Sequence, residues 1–232
     1  MTTDDRIADL ELKIADLQHQ LALIEDAAAI RKLQHLYGYF IDNCLYEETV
    51  DLFAEDGAVR FFGGIWKGKE GVRRLYIGRF RKRFTDDHNG PVDGFLLEHP
   101  QMQDVVDVAP HRKTAKARFR CMMQAGRHVD HGGPRQWWEG GLYENEYVRE
   151  NGVWKIRLLH YAPQWHADYE NGWAHTKPGY LPFFDKTLAE GDPMGPDEVD
   201  PTVWLWPDRK VFAFHNVHPV TGKPIKPAVR KR

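Results

Sequence analysis

Four polar side chains recur along one stretch of the chain: His35, Tyr39, Asp42 and Tyr46, at steps of four, three and four. On a helix this spacing lines up an imidazole, two phenols and a carboxylate on one side. Ile30, Leu33, Phe40, Ile41 and Cys44 form an apolar stripe beside them. Asp42, next to Ile41 and Cys44 at the core end of that stripe, should lose part of its hydration, which suits a carboxylate to proton transfer near neutrality. Asn43 and Leu45 equally allow an Asp that caps a turn. His99, between Glu98 and Pro100, is the second candidate, because imidazole carries protons near pH 7. A histidine in a strand is also ordinarily a hydrogen-bonded core residue. A third group lies on one face of an alternating segment: Trp137, Glu139, Gly141, Tyr143 and Asn145. Gly141 either leaves room for a ligand or marks a bend in a sheet. Tyr39 and Tyr46 add hydroxyls. Arg118 and Arg120, which share a face of another strand, can pair with Glu139 or Glu144 or bind a polar substrate group. Together these residues suit acid–base chemistry on an organic molecule.

Other chemistries find less support. His128-Val129-Asp130-His131 and His215-Asn216-Val217-His218 each bring two histidines together, but neither has a third ligand at a spacing that makes a metal site. The sequence has no phosphate-binding glycine loop, no nucleophile elbow and no C-x-x-C pair. The reading is therefore a mechanism without cofactor or metal. A formal charge of −2 gives no general attraction to nucleic acid or membrane. The start of the chain is polar and acidic rather than signal-like, and the two cysteines, Cys44 and Cys121, form no motif, so a cytoplasmic setting is expected.

These residues need elements to hold them. Thr2 and Asp5 have capping-box spacing, and Ile7, Leu10, Ile14, Leu17, Leu21 and Ile24 follow in alternating steps of three and four. That is a heptad seam over about three heptads, read as an oligomerisation helix spanning 1–24. From Ile24 the pattern predicts an amphipathic helix, a turn, a short helix to Phe53, a turn at Asp56-Gly57 and a strand from Ala58. A further helix is expected over Val72 to Phe84; its six basic residues, Arg73 to Arg83, read as a solvated face rather than an anion site. Strands follow over 95–108, 114–124, 135–149 and 153–161, the last two joined by an Asn151-Gly152 hairpin. Long consecutive strands after helices imply α+β organisation. Beyond about Ala162, prolines and isolated aromatics (Trp165, Trp173, Tyr180, Phe183, Phe184, Trp204, Trp206, Phe212, Phe214) predict an ordered extension over 167–232, wrapping the chain's own cavity or a neighbouring subunit.

The order of helix ending in Asp, short helix, F-x-x-D-G, strand, and the late Gly152-Val153-Trp154-Lys155-Ile156, resembles the SnoaL-like branch of the nuclear transport factor 2-like (NTF2-like) superfamily over roughly 25–166. The resemblance implies a cone in which a curved, mostly antiparallel sheet and a long helix enclose a pocket. The layout is similar to scytalone dehydratase, which implies catalytic roles for Asp42, His99 and Tyr143. The chain departs from that pattern at Ile41, Phe62 and Ala125, where Tyr, Tyr and His are expected, so the reaction need not be the same. Phe62 then becomes a substrate contact, with Tyr39, Tyr46, Arg118, Arg120, Trp137, Glu139 and Asn145. An aromatic wall with acid and base suits elimination from a phenolic substrate through a quinone methide. The branch's diarylpropane lyases, which release formaldehyde from lignin-derived dimers to give stilbenes, are similar in general layout. Dehydration, isomerisation or cyclisation of an aromatic, polyketide or steroid-like substrate stays open. So does a non-catalytic role, such as the small subunit of an aromatic-ring dioxygenase. A homo-oligomer, dimer or trimer, is expected.

Overall fold

A computed structural model describes residues 2–131, 135–177, 191–200, 205–208 and 211–227. Tyr180, Phe183, Phe184 and Trp204 lie outside the described residues. The chain opens with one unbroken 40-residue helix, α1 (Thr3–Asp42), so the backbone has no boundary at 24/25. Thr2 and Asp5 close the anticipated capping box at its start. It stops because Asn43 caps it and Cys44 takes φ +53°, which turns the chain back. The short α2 (Tyr46–Asp51) follows.

β1 (Phe53–Phe61) begins earlier than expected. The Asp56-Gly57 turn is instead a register irregularity inside β1, where a Cβ on Gly57 would meet the Ala54 carbonyl at 2.8 Å. β2 (Gly64–Lys67) returns antiparallel to β1. The basic segment is helical throughout but not uniform: α3 (Gly68–Arg73), a π-helical stretch (Arg74–Arg81), then α4 (Lys82–Thr85).

The sheet is completed by β3 (Phe95–Glu98), β4 (Gln101–Val108), β5 (Thr114–Arg127), β6 (Arg135–Glu150), β7 (Val153–Asp168) and a short β8 (Glu198–Val199). Its order is β3-β5-β6-β7-β1-β2-β8, with β4 also on β5. Every pairing is antiparallel except β1 with β7. The open, curved sheet faces α1, α2 and the π-helical stretch across one core. Ile30, Tyr37 and Ile41 of α1 join that core, with Phe53, Leu75, Phe119, Ile156 and Leu159. This is the α+β cone.

Behind the helix, a second buried layer is polar. Asn145 and Tyr147 both reach Gln34 Oε1, and Gln34 donates to Gln101 (2.9 Å). Asp26, 4% exposed, ties α1 to the far end of the sheet through Arg112, Arg149 and Trp154. Described parts of the extension lie on the same chain. Asp197 receives the Lys67 N–H and a bond from Arg74, Trp66 donates to the Met194 carbonyl, and Leu205 enters the core. Among the described residues no helix is long and apolar enough to cross a membrane.

Candidate active site

Inside the cone is a cavity of about 100 Å³. Its walls come from α1 (Tyr37, Ile41), α2 (Tyr46), β1 and the turn after it (Phe61, Phe62), the π-helical stretch and α4, and β3, β5, β6 and β7. The lining is rich in aromatics, with four kinds of titratable group: the His99 imidazole, the Glu139 carboxyl, the guanidinium groups of Arg79 and Arg83, and the phenols of Tyr37, Tyr46, Tyr76, Tyr143 and Tyr161.

His99 is positioned by a break in the sheet. β3 and β4 both pair with β5, and His99-Pro100 is the interruption between them. At that point α1 carries Gly38, where a Cβ would stand 2.9 Å from Gln101 Cγ and 3.5 Å from the His99 carbonyl. The missing side chain lets the broken strand sit close against the helix. Asp42, one turn further on, then accepts the His99 backbone N–H at 2.6 Å, and the same Oδ1 stands 3.1 Å from His99 Nδ1. Asp42 itself does not line the cavity; it belongs to the outer groove formed by His35, Gly38, Tyr39 and Glu98 to Gln101. His99 lines both spaces and stands between the carboxylate and the cavity, so Asp42 reaches the cavity through the imidazole.

Glu139 lies across the sheet on β6 and is 1% exposed. Tyr161 donates to its Oε1 at 2.6 Å, while Oε2 has no hydrogen-bond partner among the described residues. Burial pushes its carboxyl up to about 7, against the opposing pull of the Tyr161 bond. Local sequence explains the pairing. At Gly141 a Cβ would fall 2.5 Å from the Tyr161 ring and 2.7 Å from its hydroxyl, and β6 and β7 shift register at Gly140/Gly141. The glycine thus makes room for the chain's own tyrosine, in a sheet bend, and that tyrosine orients Glu139.

The phenols form a connected set. Tyr37 and Tyr76 share a hydrogen bond of 2.9 Å, Tyr37 stands edge-on to Tyr143 at 5.8 Å, and Tyr143 lies 5.0 Å from Tyr161. Burial drives the pKa of all four upward, so they stay neutral and able to donate. Tyr46 lies on α2 beyond the helix break, which carries it off the line with His35, Tyr39 and Asp42 and into the cavity wall. Phe62 and Trp137 also line the wall.

Four expected contacts lie elsewhere. Tyr39 is 67% exposed on the outer side of α1. Arg118 and Arg120 share a face, as expected, but it is the outer face of β5, opposite buried Ala117, Phe119 and Cys121. Arg118 pairs with Glu144 and lies over the Phe214 ring at 4.3 Å; Arg120 donates to Gln103. Asn145 does face inward, but its amide is held by Gln34 and Tyr147 behind the cavity. The alternation of a strand shows which residues share a face, not which face meets the pocket.

Two arginines not singled out as site residues do line the cavity. Arg79 and Arg83, one turn apart where the π-helical stretch meets α4, stand with Phe80 and Phe84 in the wall. Arg79 donates to Asp192 of the extension. Burial, then the nearby charges of Arg135, Arg79 and Arg127, hold Arg83 below the usual guanidinium range. Their i, i+4 spacing among aromatics was the available signal.

His128 and His131 lie in a loop, and the outer-face His215 sits between Asp107 (2.9 Å) and Glu144 (3.3 Å). Among the described residues no three His, Cys, Asp or Glu side chains gather as a metal site.

The sequence matches the SnoaL-like domain family over residues 22–160, more than half of the chain. No curated protein matches it significantly. Among solved structures it is similar to a hexachlorocyclohexane dehydrochlorinase (LinA) type 2, with 17% identity and TM-score 0.53 over 71% of this chain and 99% of that one. A second LinA structure gives 16% and 0.54, covering 69% and 99%. The Kfla4162 protein of Kribbella flavida gives 16% and 0.50, covering 62% and 93%. Identities this low show shared fold alone. With a family match over residues 22–160, the chain belongs to the SnoaL-like domain family.

Proposed function

We propose that the chain is a cofactor-independent lyase or isomerase that moves protons on a phenolic aromatic substrate. The observation that carries this reading is one apolar cavity holding two different proton-transfer groups. His99 is turned toward Asp42 through Nδ1, which leaves Nε2 for the cavity. Glu139 has an oxygen without a hydrogen-bond partner among the described residues and takes up its proton near neutrality. Such a carboxyl weakens a purely structural core, since an unpartnered buried polar group costs roughly 1–3 kcal/mol. That favours an enzyme over a non-catalytic subunit. The dehydrochlorinase named in the fold comparison also belongs to the elimination class, at the level of fold analogy only.

In this reading His99 is the base and Asp42 a positioning residue that holds the imidazole in its Nδ1–H form. Glu139, with Tyr161 beside it, is the acid. The cavity holds about 100 Å³, less than the about 150 Å³ of an apolar cavity that takes up benzene, so its aromatic wall must move outward to admit one ring. A second ring would lie toward Phe80 and Phe84, with Arg79 and Arg83 supplying positive charge for a phenolate or carboxylate.

The finer reading is loss of formaldehyde from a diarylpropanediol. Glu139 protonates the benzylic hydroxyl, which leaves as water, while the para-hydroxyl gives its proton to solvent and the ring becomes a quinone methide; the phenolate formed at the later cleavage takes a proton back from solvent. His99 then removes the proton of the neighbouring hydroxymethyl O–H. The carbon–carbon bond breaks, formaldehyde departs, and its electron pair forms the stilbene double bond as the ring regains aromaticity. Diol becomes stilbene, water and formaldehyde, with no oxidant required. Incubation with para-hydroxylated diarylpropanediols and simple phenolic carbinols tests this. A stilbene absorption band with stoichiometric formaldehyde supports the finer reading. Water loss without formaldehyde leaves only the elimination reading. Turnover unchanged in both His99→Ala and Glu139→Gln removes the proposed acid–base pair.

A further inference from the structure

The first half of α1 carries an apolar seam that the fold leaves uncovered. Ile7, Leu10, Ile14, Leu17, Leu21 and Ile24 are each at least half exposed. The helix does not turn this seam toward its own domain. Its buried residues, Asp26, Ile30, Gln34, Tyr37, Gly38 and Ile41, begin two positions after Ile24. At about 100° per residue the two faces lie roughly opposite one another around the helix. The seam therefore points away from the core, and the chain's own sheet cannot cover it.

The flanking charges identify the occupant. Taking Ile7, Ile14 and Leu21 as heptad position a, the g positions are Arg6, Lys13 and Gln20, and the e positions are Glu11, Gln18 and Glu25. In a parallel, in-register pair each g meets the following e of the other helix. That sets Arg6 against Glu11, Lys13 against Gln18 and Gln20 against Glu25, with no like-charge contact. An antiparallel pair sets g against g and e against e, and with every base at g and every acid at e it gains no opposite-charge contact. Ile at a with Leu at d in the first two heptads favours two strands; the third heptad inverts that order. Three heptads are short for an isolated coiled coil, but here the downstream half of α1 is already folded against the sheet, so helix nucleation is met within each chain.

We infer that the seam of residues 7–24 docks a second copy of this chain as a parallel, in-register, two-stranded coiled coil. The surface lies apart from the cavity, and the pairing does not depend on the proposed reaction. It also accounts for a helix that runs on past the domain it serves.

Sedimentation velocity of the full chain at micromolar concentration should give twice the chain mass. Leu17→Glu, on the protruding part of the helix, should give the single-chain mass with an unchanged near-ultraviolet circular dichroism spectrum. Orientation is read from Ile7→Cys under mild oxidation, against a low background because Cys44 and Cys121 are each 1% exposed. A parallel pair brings the two position-7 residues within disulfide reach and should give a linked dimer. An antiparallel pair sets them about 25 Å apart, beyond the roughly 4.4–6.8 Å that a disulfide spans. A wild-type monomer, a trimer, a dimer that survives Leu17→Glu, or a dimer that Ile7→Cys fails to link would each overturn the inference.

Discussion

Of the described histidines that sit beside carboxylates, two lie on opposite faces of the sheet. His99 meets Asp42 where the interrupted edge strand touches α1, and its ring forms part of the cavity wall. His215 meets Asp107 and Glu144 on the outer face, under the C-terminal extension, with Arg118 and Phe214 alongside. As lists of partners the two are nearly alike. They differ in what lies on the far side of the ring. His99 opens on an enclosed apolar space that also holds Glu139, whereas His215 closes a contact between tail and strand. A paired imidazole becomes a candidate for catalysis only where a substrate can reach it.

Substitution should separate the two. His99→Ala is expected to lower kcat/KM roughly 10²–10⁴-fold, the range of a lost general base, with little change in Tm. His215→Ala should leave turnover of the same substrate within about two-fold, as expected for a contact outside the site. Similar losses from both would erase the distinction.

Glu139→Gln sharpens it from the other side of the cavity. The carboxyl rises from 4.5 to about 7 on burial. The folded state therefore holds that proton more tightly than the unfolded one. Stability from this group is fully present below about pH 4.5 and is lost as pH rises through about 7. Removing the charge should raise stability above pH 7 by up to about 3 kcal/mol, since each tenfold gain in proton affinity on folding corresponds to about 1.4 kcal/mol. Turnover should fall, and the decline of activity expected of the wild type above about pH 7 should be absent from the variant. Denaturant melts and pH–rate profiles of both proteins read the two effects.

Asp42→Asn should cost about 10–10³-fold in kcat, less than loss of the imidazole it positions, with KM nearly constant. A larger effect on KM would place the carboxylate in contact with substrate after all. The smallest effect is expected at the outer cluster. Glu144→Gln removes the charge that holds Arg118 and faces His215, and should destabilise by about 1–2 kcal/mol, measured by urea titration, while leaving kcat/KM unchanged.

Much of the arrangement was readable in residue order. The heptad seam, the helix ending at Asp42, the Asn151-Gly152 hairpin and the long alternating strands are local patterns, set by propensity and period. Asp42, His99 and the Trp137–Asn145 face could be selected because polar groups in otherwise apolar periodic segments stand out. The assignments that moved depended on contacts distant in the chain. Tyr39 follows helical spacing as faithfully as Tyr37, yet the first is exposed and the second buried. Arg118 and Arg120 share the outer side of β5 because Phe119 and Cys121 take the inner one. Tyr161 was passed over because only the pairing of β7 with β6 brings its hydroxyl to Glu139.

Family, order of elements and the apolar seam on α1 are written in residue order, because each is a matter of spacing along a single segment. Folding settled the rest: that His99 rather than Asp42 meets the cavity, that Gly141 yields its space to Tyr161, and that Arg79 and Arg83 line the wall instead of facing water. Those outcomes depend on which side of each element meets the curved sheet. That choice is made where strands from distant parts of the chain pair and a helix packs across them, and no periodicity within one segment encodes it.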